Sequence, residues 1–307
     1  MLSLKGKVNH QDLTSKGWFN YMVINHNISA MYASRQLNLV NAATQVDAAK
    51  LSSGERITKA SDDASGLSIS EKMRAQIRGL NRASKNIQDA SSLVQTTDGY
   101  LSELTDVVQR IRELAVQAGN GVYQAEERQM MQIEVSQLVS EVDRIASQAS
   151  FNGMNLLSGR FDADKGTESL QFTIGANVDQ RISLNIAAMT ATDLGLKGAQ
   201  RSDENVISLE NTESANMGIA TLDEALKKIN MQRADLGAAQ SKLEFGKKGI
   251  DIAAENLQAS ESRIRDVDVA EQMTEFSKNQ ILQNASGAML AQAFNLNSQT
   301  ILSLLRS

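Results

Sequence analysis

Apolar residues recur every seven positions along two long stretches of this chain. The first carries Met73, Leu80, Ile87, Val94, Leu101, Val108 and Ala115. Three places on runs a second series: Gln76, Ala83, Ala90, Thr97, Leu104, Ile111 and Ala118. An a/d repeat sustained in this way predicts a long helix with one seam facing a partner helix. From Met73 to Ala115 that helix would measure about 65 Å at 1.5 Å per residue. The design returns at Leu222, Ile229, Leu236, Leu243, Ile250, Leu257 and Ile264, with a mostly small companion series from Ala225 to Val267. A shorter run (Met131, Val135, Leu138, Val142, Ile145, Ala149) predicts a third helix. Three helices with matching seams, two of nearly equal length, predict one bundle.

Between the rods the period changes. Leu170, Phe172 and Ile174 alternate with polar residues, as do Ile182, Leu184 and Ile186, and "GANVDQR" joins them. This predicts a β-hairpin near 169–187, with Gly and Asn suited to its turn. Residues 151–215 are rich in Gly, Asn, Ser and Asp, so the chain is expected to reverse there. The outer segments carry weaker stripes: Leu39, Ala43, Val46 and Ala49 before Gly54, then Val269, Met273, Phe276, Leu282, Ala285, Met289, Ala293 and Leu296. The last residues, "TILSLLRS", are strongly apolar, and such a tail calls for a partner. The fold class is therefore mainly α: a long antiparallel coiled-coil bundle from N- and C-terminal segments, with a small β-hairpin region.

Composition sharpens this. No proline occurs among the 307 residues, where average usage would give about 15, so nothing of that kind interrupts the helices. Aromatic residues make up 4%, which leaves an aliphatic core. The absence of cysteine excludes disulfides, thiol catalysis and cysteine metal sites. A net charge of −5 argues against nucleic acid as a partner. No apolar run is long enough to span a bilayer, and residues 1–21 lack the apolar stretch of a secretory signal.

Candidate chemistry is sparse. The two histidines, His10 and His26, have no ligating neighbours in sequence. "FGKKG" (245–249) falls inside a predicted rod and lacks the pattern of a phosphate loop. Asp62 and Asp63 sit in "ASDDASG", where Ser61 or Asp62 is the expected cap of the next helix. "DASGLS" does not match a nucleophile elbow. No catalytic, cofactor or metal site is expected, and no enzyme activity.

The assembled motifs resemble bacterial flagellin. They are "MVINHNISA" at 22–30, "KLSSGERITKASDDASGLSISEKMRAQIRGLNRASKNIQDASSLVQTTDGYL" at 50–101, "VQRIRELAVQAGNG" at 108–121 and "FNGMNLLSG" at 151–159. "ASESRIRDVDVAEQM", "KNQILQNASGAMLAQA" and "ILSLLR" continue the match to the C-terminus. "NGVYQAEERQMMQIEVSQLVSEVDRIASQASFNGMN" and "SGRF" are similar to the spirochete type, whose filaments lie in the periplasm.

The resemblance implies a structural subunit that polymerises into the flagellar filament used for motility. It implies an inner coiled-coil domain from 22–65 plus 266–307 that lines the filament core, and a helical rod domain over 66–265, with no large outer variable domains. Residues 1–21 are then a non-native or disordered extension, since Met22 resembles the point where such chains begin. Ile24, Leu39, Val46, Phe276, Leu282, Met289, Ile301, Leu304 and Leu305 are the expected assembly residues. Leu80, Ile87, Val94, Leu101, Val108, Leu222, Ile229, Leu236, Leu243, Ile250, Leu257 and Ile264 are the expected rod seam. Export unfolded through the flagellar secretion apparatus is implied, with an export chaperone on the C-terminal segment. Filament cap and junction proteins, and a sheath protein, are further implied partners.

"QRIRELAVQ" resembles the stretch contacted by the flagellin-sensing Toll-like receptor. Gln109, Arg110, Leu114 and Gln117 match it, and Glu134 matches a further contact. One departure stands out: "AFNLNSQ" has no proline where the family has one, which bears on the local turn at 295–298. A hook–filament junction protein is the alternative from the same system. A coiled-coil regulatory protein that does not polymerise is the alternative from another class.

Overall fold

The computed structural model describes residues 27–162, 169–197 and 207–306, and side chains up to residue 295. Ile24, His10, His26 and residues 1–21 lie outside the described residues, as do the side chains of Leu296, Ile301, Leu304 and Leu305. Among the described residues five helices carry the fold: α1 (Ile28–Ser53), α2 (Ala64–Ala118), α3 (Ala125–Gln148), α4 (Thr212–Arg265) and α5 (Val269–Arg306). Two short antiparallel pairs lie between α3 and α4: β1 (Ser150–Phe151) with β2 (Met154–Asn155), and β3 (Leu170–Thr173) with β4 (Arg181–Leu184). The chain divides into two compact units, one of residues up to Leu67 and from Ile264, the other Ser68–Arg263.

In the second unit α2 and α4 run antiparallel. Arg74 pairs with Glu261 at 2.7 Å, Arg233 with Asp98 at 2.8 Å and Arg112 with Asp223 at 2.7 Å. Ser84 Oγ donates to Asp251 between them. Eleven buried positions of α2 fall on the two heptad series: Ala83, Ile87, Ala90, Val94, Thr97, Leu101, Leu104, Val108, Ile111, Ala115 and Ala118, while Ser70, Leu93, Thr105 and Leu114 are buried beside them. Those of α4 do the same at Leu222, Ala225, Ile229, Gln232, Leu236, Leu243 and Ile250. Leu80, Leu257 and Ile264, at the far end of both helices, are half-buried. Buried Thr97 and Thr105 satisfy their hydroxyls on the carbonyls of Leu93 and Leu101, one turn back.

α3 closes the bundle through Met131, Val135, Val139, Val142, Ile145 and Ala146. A turn at Asn152–Gly153, both at positive φ, follows it. That is the backbone a tight two-residue hairpin demands, and Asn-Gly supplies it cheaply. The turn returns Asn155 to the end of α3, where its Nδ2 donates to the carbonyls of Ala146 and Ser147. Its Oδ1 accepts from the amides of Leu157 and Ser158. One asparagine thus satisfies helix-end carbonyls that would otherwise lack partners.

The β3–β4 hairpin pairs Leu170 with Leu184 and Phe172 with Ile182. Ile182 and Leu184 face the core, while Phe172 and Leu170 pack partly against it. Positive φ falls on Asp179, not on the Gly or Asn expected to turn the chain. At Gly79 of α2 an added Cβ would lie 2.7 Å from the Ala176 Cβ, so the hairpin tip touches the helix backbone there.

In the first unit α1 ends at Gly54, whose φ of 71° suits glycine. Backbone bonds then tie the following turn to the junction between α4 and α5: Arg56 N to Arg265 O at 2.6 Å and Val267 N to Gly54 O at 3.0 Å. Asp63, one residue beyond the expected cap, holds the start of α2 by accepting from Gly66 N at 2.9 Å. Asp62 instead ties the preceding loop, accepting from Thr58 N, Thr58 Oγ1 and Lys59 N. These bonds, chiefly that from Lys59 N, hold its carboxyl below the usual value. α5 runs through 295–298 without a break. With no proline there, each residue keeps its amide donor.

Candidate assembly and recognition surfaces

α1 and α5 lie antiparallel. Asn27 caps α1 by accepting from Ala30 N, and its Nδ2 reaches Ala293 O at 3.0 Å. Near the other end Asp47 takes hydrogen bonds from Gln272 and Asn279. The residues that α1 turns inward are Ala30, Ala33, Leu37, Val40, Thr44, Asp47 and Leu51, all buried or half-buried. Those of α5 are Gln272, Phe276, Asn279, Gln283, Ser286, Leu290 and Ala293. Both sets step by three and four, as an antiparallel heptad pair requires.

This seam differs from the stripe expected from hydropathy. Leu39 is 60% exposed and Val46 48% exposed. Met289 is 68% exposed, and Leu282, Met273 and Val269 also face solvent. Of the expected assembly residues with described side chains, Phe276 alone turns toward the seam, where it is half-buried. The physical reason is composition. The inward face of α5 carries Gln272, Asn279, Gln283 and Ser286, so the larger apolar residues define a second face that points outward. Ile28, Met31, Tyr32, Ile281 and Phe294 add to that outward face. Met31, Arg35, Leu39 and Phe294 line an open groove at the N-terminal end of α1. An apolar face of this extent on a monomer marks an interaction site.

The second surface spans α2 and α3. Arg110 Nε and Nη2 donate to Glu134 Oε1 at 3.1 and 2.9 Å, and Nη1 donates to Glu113 at 3.3 Å. The Glu134 bond, first among these, raises the Arg110 pKa above its usual value. Gln109 and Gln117 are exposed, and Gln117 donates to the Tyr123 hydroxyl. Leu114 is 3% exposed. It belongs to the buried core of this unit, so its side chain is not available on this surface. The lysines of "FGKKG" lie on α4, with Lys248 above the exposed Phe245 ring at 5.6 Å. Among the described residues no helix is long and apolar enough to cross a membrane.

Sequence reasoning missed two functional placements. The turn of the "FNGMN" segment could have been found from its Asn-Gly pair. The polar seam of α1 and α5 could not, because nothing in the apolar periodicity points to it.

Comparison with known proteins gives the following. Residues 24–162 match the bacterial flagellin N-terminal helical region, and residues 219–305 match the C-terminal helical region. A flagellar filament 33 kDa core protein of Treponema phagedenis is 57% identical over 289 residues, covering 93% of this chain and 100% of that protein. A flagellin of Bacillus subtilis is 47% identical and also matched over its whole length. A solved Vibrio parahaemolyticus structure, described as a flagellar hook-associated protein, superposes with a TM-score of 0.52. At 14% identity, over 67% of this chain and 100% of that one, it speaks to the fold alone.

Proposed function

The chain belongs to the bacterial flagellin family, and from that premise we infer that the outward apolar face of α1 and α5 is where it joins its neighbours. It is a structural subunit of the flagellar filament, it polymerises with copies of itself, and it acts in motility. The observation that carries the assembly reading is the exposure of Leu39, Val46, Leu282 and Met289 on helices whose mutual seam is already filled. Burying a leucine or methionine side chain stabilises by about 1.5–3 kcal/mol. A helix pair with such a face gains by stacking against further pairs.

The first compact unit is then the inner domain that lines the filament core, and the second is the helical rod domain. The apolar "ILSLLR" tail joins the same inner layer. The subunit leaves the cytoplasm unfolded through the flagellar secretion apparatus, a route that a cysteine-free chain suits. An export chaperone covers the C-terminal segment before assembly. The Treponema relatives favour a periplasmic flagellum, where a sheath protein would meet the rod domain. Filament cap and junction proteins contact the ends of the polymer. The role is structural and takes no catalytic part.

The α2–α3 surface carries the innate-receptor reading. Gln109, Arg110, Gln117 and Glu134 offer charge and hydrogen bonds to a Toll-like receptor on the free subunit. Leu114 acts there only by packing the helix beneath them.

Seeded polymerisation tests the main reading. Purified chain mixed with short filament fragments should elongate them under the electron microscope. Folded, helical chain that never elongates seeds would overturn it. A hook–filament junction protein would give the same helical spectrum but would be scarce in cells, so quantitative mass spectrometry separates the two.

A further inference from the structure

Asparagine followed by glycine is prone to spontaneous deamidation, because glycine has no Cβ to shield its amide nitrogen. The chain holds two such pairs, Asn120–Gly121 and Asn152–Gly153, and one aspartate analogue, Asp98–Gly99. All three lie in the second compact unit. Both asparagines and the glycines that follow them are exposed, so access to water does not separate the two pairs.

The reaction is an attack within the chain. The glycine amide loses its proton, and its nitrogen bonds to the asparagine Cγ. The Cγ–Nδ2 bond breaks, ammonia leaves and a succinimide ring remains. Water then opens the ring at either carbonyl, giving aspartate or isoaspartate. Only water is consumed. The attack requires the asparagine backbone to rotate until the glycine nitrogen faces Cγ.

The fold opposes that rotation at two of the three pairs. Asp98 and Gly99 sit inside α2, where helical bonds hold the backbone, and Asp98 Oδ1 accepts from Arg233 Nε at 2.8 Å. Asn152 and Gly153 form a two-residue turn at positive φ, closed by the Phe151–Met154 pair. The Asn155 side chain holds that hairpin through Ala146 O, Ser147 O, Leu157 N and Ser158 N. Asn120 has no such frame. It lies two residues past α2, and its bonds are local: its N donates to Gln117 O at 3.1 Å and its O accepts from Tyr123 N at 3.4 Å. Its Oδ1 accepts from Val122 N at 3.2 Å. The Gly121 amide donates to no group among the described residues, and nothing lies within 4 Å of a Cβ built there.

We propose that Asn120 is a site of spontaneous deamidation, and that the fold confines this modification to the turn between α2 and α3. Conversion places a negative charge just past the C-terminus of α2, where the helix dipole is itself negative. Isoaspartate also adds a methylene to a turn that the Gln117–Tyr123 hydrogen bond spans. The end of α2 is therefore less stable in an aged chain. The inference rests on the second unit alone and holds whether or not the chain elongates filaments.

Full-length chain would be incubated at mildly alkaline pH, once folded and once in urea, and peptide mass spectrometry would follow both asparagines. In the folded chain Asn152 should convert about tenfold or more slowly than Asn120, which corresponds to a barrier about 1.4 kcal/mol higher. In urea the two rates should be similar. G121A should suppress conversion at Asn120, because its methyl shields the nitrogen. N155A should raise the Asn152 rate toward that of Asn120. The deamidated fraction, separated by its added charge, should exchange amide hydrogens faster at 115–119 than the parent. Equal rates at the two asparagines in the folded chain would overturn the proposal. So would a ratio of rates unchanged between the folded chain and urea. Unaltered exchange at the end of α2 would overturn its structural consequence.

Discussion

Gln132 and Gln232 make the same pair of bonds from two different helices. Gln132 on α3 donates to Ile207 O and accepts from Leu209 N, at 3.0 and 2.7 Å. Gln232 on α4 donates to Asn185 O and accepts from Ala187 N, at 3.3 and 3.1 Å. Each side-chain amide stands in for a strand, satisfying both polar groups of an extended segment that no sheet covers.

Q232A should therefore destabilise more than its size implies. It strands the amide of Ala187 beside the buried Ile186 and Ala188 and empties a core position. The expected loss is about 1–3 kcal/mol, read by urea unfolding. Q132A should cost a similar amount. Q232E keeps the acceptor but sets a buried carboxylate against the Asn185 carbonyl, so at neutral pH it should destabilise at least as much as Q232A.

Two glycines of α2 should respond with opposite signs. Nothing lies within 4 Å of a Cβ built at Gly99. G99A should then gain about 0.5–1 kcal/mol from helix propensity. At Gly79 the new methyl would meet Ala176 at 2.7 Å, backbone included at 3.2 Å. Overpacking costs about 1–3 kcal/mol, which exceeds the propensity gain. G79A should lower the unfolding midpoint and speed amide exchange in β3 and β4, measured by hydrogen–deuterium exchange.

Asp62 gives a pH dependence with a defined sign. Its folded-state pKa lies below the unfolded value, chiefly through the bond from Lys59 N. The charged form is the one the loop holds. Its contribution is complete above the unfolded pKa and is lost as pH falls through the lower, folded value. Thermal unfolding of the parent and of D62N should differ at neutral pH and converge below about pH 4. A difference that grew on acidification would contradict the assignment.

Arg110 should separate recognition from stability. Its ion pairs with Glu134 and Glu113 are exposed, and such pairs contribute about 0–1 kcal/mol. R110A should leave the unfolding midpoint nearly unchanged and reduce receptor-reporter activation by free subunit more than tenfold. L114A should do the reverse to stability, with about 2–5 kcal/mol lost from a buried leucine.

The rods were legible because their seams are apolar and regular. Most buried residues of α2 and α4 sit on the heptads that hydropathy marks, and Leu170–Ile174 alternates as a strand should. Smaller features turned on single side chains. Asp62 and Asp63 are adjacent and chemically equal, so only backbone geometry decides which one caps α2. The seam between α1 and α5 was not legible for a different reason. Its seam is occupied by Asp47, Gln272, Asn279 and Gln283, while Leu39, Val46, Leu282 and Met289 form the visible stripe. Hydropathy finds where apolar residues are, not which partner they await. In a subunit built to join copies of itself the strongest stripe can belong to the next molecule.

That distinction yields a paired experiment on neighbouring residues. Leu39 is 60% exposed and Val40 is 6% exposed, so the first faces solvent and the second the seam of α1. L39Q should leave the helicity and unfolding of the soluble chain unchanged, because the side chain already meets water there. In the filament it would lose the burial of one leucine, about 1.5–3 kcal/mol. A factor of ten corresponds to about 1.4 kcal/mol, so the critical concentration for elongation should rise by roughly tenfold or more. L282Q should act in the same direction, and the two should add if their contacts are separate. V40Q places an amide in the α1–α5 seam and should lower the stability of that pair in the soluble chain. Light scattering gives the critical concentrations and circular dichroism gives the stabilities. If L39Q polymerised like the parent while V40Q alone impaired assembly, the outward face would not be the subunit interface.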